Sequence, residues 1–262
     1  MAVITFKKIR VAILLFVLAT VAMATWQQSR AVANWTSPLE LTLYPINGDG
    51  TAEVEKYIAG LHQDRFDDIT RFLVEEAKAY GVDTTPLVEL DLGPEETQLP
   101  PSPPPDGTRL DIALWSLKLR WWLHETVSSW GLDRRHIRIF VVYHRAHGKK
   151  PLHHSFGLQK GLVGVVHAFA IPEQDGENSM VITHELMHTL GATDKYGPDG
   201  QPRYPDGYGD PEQQPRYPQD YAEIMAGRIA TSATTSKIPA SLDNCLIGPE
   251  TAQEIHWLKP ST

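Results

Sequence analysis

Residues Asn178–Tyr196 read NSMVITHELMHTLGATDKY, with HELMH at the centre. His184 and His188 stand four apart, so on a helix they project from one face, one turn above the other. That spacing lets two imidazoles grip a single metal ion, and it places Glu185 to act as base on a water the metal activates. Ile182, Leu186 and Leu190 form an apolar stripe roughly 200° around the helix from the two histidines, at 100° per residue. One side of the helix can therefore be buried while the other faces a metal. Gly191 stops the helix as glycine does at a C-terminus. Asp194, a hard oxygen ligand, follows the turn. An ordinary amphipathic helix with two solvated histidines would explain the periodicity. It would leave the placed glycine and aspartate as coincidences.

HELMHTLGATD resembles the metzincin zinc signature H-E-x-x-H-x-x-G-x-x-H, with Asp194 where most members have a third histidine. Metzincins also carry a methionine turn downstream, and Glu223-Ile224-Met225-Ala226-Gly227 matches one. The resemblance implies an α+β fold: a mixed twisted sheet with helices, an active-site helix, and a smaller irregular C-terminal subdomain below the cleft. It implies one catalytic Zn2+ held by His184, His188 and Asp194, a peptide or protein substrate, and Met225 beneath the metal without bonding to it. Gly227 stands where many members have a tyrosine. The oxyanion donor is therefore open, with Tyr196 and Tyr221 as candidates.

The remaining composition narrows the class. The chain has 262 residues, 42% hydrophobic and 21% charged, enough for one sizeable core. A net charge of −8 with no basic stripe argues against nucleic acid as a partner. At the start, Lys7, Lys8 and Arg10 precede an uncharged apolar run, Val11–Ala24, ending in Ala22-Met23-Ala24. This is the pattern of a secretory signal. The run is shorter than the roughly 20 residues of a membrane span, yet Trp26 would suit an interfacial anchor, so residues 11–26 could hold the protein in the inner membrane. Either reading places a single domain, 26–262, outside the cytoplasm: in a bacterial periplasm, secreted, or anchored. The lone Cys245 cannot form an intrachain disulfide.

Along that domain, Leu39–Tyr44 alternates as a strand and Pro45–Gly50 is turn chemistry. A helical region runs from Thr51 to about Tyr80, broken near His62–Asp64, and Pro86–Leu92 is a second strand. Gly93–Thr108 is a proline-rich surface loop. Arg109–Trp130 is a helix with two apolar stripes, Leu110/Leu114/Leu117/Trp121 and Trp115/Leu119/Trp122, the pattern of a helix sandwiched in a core. Ile137–Tyr143 is the clearest strand. Leu162–Ala170 is another, and the resemblance gives it the place of the edge strand that pairs with substrate, through Gly164, Val165 and His167. His144, His147, His153 and His154 cluster in one loop without the spacing of a tetrahedral cage. QPRYP occurs twice, in Gln201–Pro205 and Gln214–Pro218. That irregular segment reads as a wall of the cleft, or as a seat for a structural cation at Asp206 and Asp210. Pro249–Leu258 is a short terminal helix.

The expectation is a zinc-dependent endopeptidase with Glu185 as general base. Three alternatives stand beside it. The third ligand could be Glu212 or Glu223 on a following helix. The protein could hold zinc without catalysis, as an envelope or partner-binding module. It could also be a zinc amidase acting on cell-wall material.

Overall fold

The computed structural model describes residues 10–11, 13–16, 18–20, 22–23, 32–83, 86–104, 107–127, 135–146 and 154–258. Lys7, Lys8, Trp26, Trp130, His147, His153 and much of the apolar start lie outside the described residues. The described part of 10–23 is helical, with Leu14, Phe16 and Leu18 exposed. Among the described residues no helix is long and apolar enough to cross a membrane.

The fold is mixed α/β around one five-stranded sheet. Its strands are β1 (Leu39–Asn47), β2 (Val88–Leu92), β3 (His136–His144), β4 (Phe156–Leu158) and β5 (Val163–Phe169), in the order β2-β1-β3-β5-β4. All pairings are parallel except β4 against β5. Central β3 is buried on both faces, which is why its sequence runs continuously apolar rather than alternating. Ile137, Ile139, Val141 and Tyr143 face the larger core, while Phe140 and Val142 face a smaller one.

Helices α1 (Ala52–Ala59), α2 (Asp67–Ala79) and α4 (Asp175–Leu190) feed the larger core. Helix α3 (Arg109–Thr126) covers the opposite face, burying Leu119, Trp122 and Leu123 against Phe140, Val142 and Val165. Its start is fixed by a capping box between Thr108 and Asp111. After α4 the chain is irregular, with short strands β6 (Ala222–Glu223), β7 (Ile229–Ala230), β8 (Ser236–Lys237) and β9 (Cys245–Leu246) before helix α5 (Pro249–Glu254).

Three expectations need correction. β1 continues through Pro45 to Asn47 rather than turning at Tyr44. The β1–β2 ladder stops at Leu43, so a proline at 45 removes no donor from it, and the Pro45 carbonyl still accepts the Glu96 amide. α3 is not sandwiched: Trp115, Leu119 and Trp122 pack inward, but Leu110, Leu114, Leu117 and Trp121 are all at least 50% exposed. Lastly, β5 is not the sheet edge. Gly164 and Val165 pair with β4 on one side and β3 on the other, so β4 occupies the edge.

Candidate metal centre

The centre is assembled on α4. Asn178 clamps the helix start to the end of β5, accepting from the Phe169 amide and donating to the Phe169 carbonyl. Ile182, Leu186 and Leu190 are buried, which turns His184 and His188 the other way. The helix closes at Gly191 with φ 110°, a conformation that suits glycine. The amides of Gly191 and Ala192 cap the last turn by donating to the carbonyls of His188 and Met187.

Asp194 is fixed from both sides. Glu254, at the end of α5, accepts from the Thr193 amide and hydroxyl and from Lys195 Nζ. The Lys195 amide donates to the Met225 carbonyl. Asp194 Oδ1 thereby comes to 3.3 Å from His184 Nε2 and 3.2 Å from His188 Nε2. These three side chains are the one group of three metal-ligating residues found among the described residues.

The protonation of the rings follows from their other contacts. His184 Nδ1 lies 2.9 Å from the Ile224 carbonyl and His188 Nδ1 lies 2.9 Å from the Ala192 carbonyl. A carbonyl can only accept, so each Nδ1 carries the hydrogen, which leaves Nε2 of a neutral ring to turn its lone pair towards Asp194. Oδ1 of Asp194 is buried and has no hydrogen-bond partner. Three electron-rich atoms thus converge on one point, a donor set that fits a divalent cation of borderline softness. Burial pulls the Asp194 carboxyl up, but with no cation between them the two imidazoles, in their protonated form, donate to it and hold it well below the usual carboxylate range. Burial likewise pulls the His188 ring down, and Asp194, the Ala192 carbonyl and Glu185 together raise it.

Glu185 is 5% exposed, and its Oε2 has no partner. Burial pushes its pKa up, and the imidazoles and the Gly157 amide pull back only part of the way. The Tyr196 ring lies 6.4 Å from the His184 ring, nearly parallel to it. Burial and the nearby Asp194 charge push its hydroxyl up to about 12, so it stays a hydrogen-bond donor at neutral pH.

The methionine segment adjoins these groups. Its Ile224 carbonyl orients His184, and Met225 is fully buried. Glu223 is also fully buried and shapes the turn: one carboxylate oxygen accepts the Met225 and Ala226 amides, the other the Gly248 amide and the Thr251 hydroxyl. Both of its oxygens are committed, so Glu223 does not serve as a ligand. Glu212 is exposed and outside the cluster. Tyr221 lines a separate cavity with Phe72, Glu76 and Leu242. Asp206 and Asp210 belong to no group of three ligating residues among the described residues, and Asp210 Oδ1 accepts the Glu212 amide. His144 lies between Asp49 and His167, 2.8 Å and 2.9 Å away, on the sheet face that α3 covers.

Sequence reasoning did not reach the two orienting carbonyls, the Glu223 and Glu254 clamps or β4. The signal nearest to β4 was Gly157. A Cβ there would fall well inside contact distance of the Glu185 carbonyl oxygen and 2.8 Å from His188 Cβ, so only glycine lets the edge strand lie directly on α4.

Comparison with known protein families finds no match, and a search of curated proteins finds none.

Proposed function

We propose that the protein is a metzincin-like, zinc-dependent endopeptidase acting outside the cytoplasm. One observation carries this reading: Asp194 Oδ1 meets two imidazole Nε2 atoms whose Nδ1 hydrogens are already given to carbonyls, with the unpartnered Oε2 of Glu185 alongside. A purely structural metal site has no use for that carboxylate. The buried Met225, next to the Ile224 carbonyl that meets His184, and the antiparallel β4 at the sheet edge also agree with the resemblance seen in HELMHTLGATD.

When bound, zinc would supply Lewis acidity, lowering the pKa of a water towards about 7 and polarising the scissile carbonyl. Glu185 takes a proton from the attacking water and returns it to the leaving amine; a carboxyl whose pKa is raised by burial suits both transfers. Tyr196 donates its hydroxyl to the developing oxyanion. The outer edge of β4 offers main-chain hydrogen bonds that hold a peptide extended without reading its sequence. The basic start and apolar run at Val11–Ala24 support export.

The test uses the full chain loaded with zinc, incubated with an unfolded protein and, separately, with peptidoglycan. Cleavage of the protein that disappears in Glu185→Gln supports the endopeptidase. Release of cell-wall fragments alone would replace it with the amidase.

A further inference from the structure

Beside His188 a groove of about 470 Å³ opens between α3 and the β4 edge. One flank of α3 lines it with Ile112, Ser116 and Arg120, spaced four apart and therefore on one side of the helix. Opposite stand Leu158 and Lys160. Trp115 forms a fixed wall, because its Nε1 donates to the Pro101 carbonyl and its ring packs edge-on against Phe156 at 5.3 Å. The groove therefore has apolar sides and two cations at its rim.

Both cations are exposed. The chain carries a net charge of −8, yet no carboxylate among the described residues lies within ion-pairing distance of Arg120 or Lys160. They come from segments forty residues apart in sequence and line the same groove. Ile112 is 50% exposed on the same flank. Two cations above an apolar wall match a ligand with a short apolar stem and an anionic end.

We propose that this groove is a subsite for a carboxylate-bearing residue of a bound peptide, with Arg120 and Lys160 taking the carboxylate and Ile112, Trp115 and Leu158 taking its stem. The inference rests on the endopeptidase reading and narrows its substrate class. Arginine offers the carboxylate a planar fork and lysine a point charge. The carboxylate comes from an acidic side chain or from the peptide C-terminus; both present the same chemistry.

Binding is measured on the full, zinc-loaded chain carrying Glu185→Gln, using the fluorescence anisotropy of labelled peptides in one neutral frame. One set has Glu scanned through the frame with an amidated C-terminus. The second has Gln in those positions and an amidated C-terminus, and the third has Gln and a free C-terminus. A carboxylate-bearing peptide should bind about tenfold to a hundredfold tighter than the neutral amide, the usual worth of a charge-assisted hydrogen bond. The preference should shrink with added salt and be lost in Arg120→Gln and Lys160→Gln, both at exposed positions. The first set winning assigns the subsite to a side chain, the third to the C-terminus. Equal binding of all three sets, or a preference that survives both substitutions, overturns the inference. The protease reading fails separately, if the wild-type chain cleaves none of these peptides.

Discussion

Gly157→Ala is the sharpest perturbation of the centre that leaves every candidate ligand in place. An added Cβ would lie 2.8 Å from His188 Cβ and closer still to the Glu185 carbonyl oxygen. Carbon atoms prefer about 3.5–4.0 Å, so β4 and α4 must separate by roughly 1 Å. Overpacking of this kind costs about 1–3 kcal/mol. At about 2–4 °C per kcal/mol for a domain of this size, Tm should fall by roughly 2–12 °C. Activity should fall further, because a misplacement of about 1 Å can cost a hundredfold in rate. Gly157 φ is not in the left-handed region, so the loss comes from contact and not from backbone strain. Gly164→Ala is the control. Its nearest neighbour would be the Ile139 side chain at 3.3 Å, a contact a side chain can relieve, and its Tm should stay within about 2 °C of wild type. Differential scanning fluorimetry and kcat/KM on a cleavable peptide measure both variants. If Gly157→Ala matched Gly164→Ala in both quantities, the close seating of β4 on α4 would be refuted.

Four further outcomes follow from the same geometry. Glu185→Gln should keep zinc and Tm while cutting hydrolysis about 10²- to 10⁴-fold; full activity in that variant would remove the general base. Asp194→Ala should lower zinc content measured by elemental analysis, and wild-type protein given zinc at a hundred times Kd should gain about 2.7 kcal/mol of stability, a gain a chelator reverses. Glu223→Leu should strand the buried donors of Met225, Ala226, Gly248 and Thr251 at about 1–3 kcal/mol each, lowering Tm and zinc affinity together; wild-type zinc affinity would detach the turn from the metal site. For pH, burial raises the Glu254 carboxyl, but hydrogen bonds from Lys195 and Thr193 outweigh it and set the folded pKa below its ordinary value. Its stabilisation is then complete above the ordinary value and lost as pH falls through the folded one. Glu254→Gln should flatten the acid side of the Tm–pH curve, and an unchanged slope there would contradict the assignment.

The parts of the centre that were legible in the sequence are those governed by neighbours within a turn or two. His184, Glu185 and His188 share a helix face because of 3.6-residue periodicity, and Gly191 ends that helix because no side chain opposes its positive φ. The β3 core strand was legible for the same kind of reason, since burial on both faces demands an unbroken apolar run. The strand at the sheet edge was misread. Phe156–Leu158 is only three residues long, too short for any period to register, and the longer Val163–Phe169 drew the assignment. The two apolar stripes of Arg109–Trp130 read as a helix sandwiched in a core, because periodicity marks apolar flanks without showing whether anything covers each of them. One stripe found Phe140 and Val165, and the other was left outside.

The amino-acid sequence by itself thus determined the helix, its two imidazoles and its carboxylate, because short-range periodicity sets all three. Only the tertiary structure decided what makes them converge: the Ile224 and Ala192 carbonyls that fix the ring hydrogens, Glu254 gripping both neighbours of Asp194, and β4 seated on α4 at Gly157. Of these, the contacts of Ile224, Glu254 and Gly157 join segments 28 to 61 residues apart. The folding of the whole core sets them, and no local pattern encodes which carbonyl will face which ring.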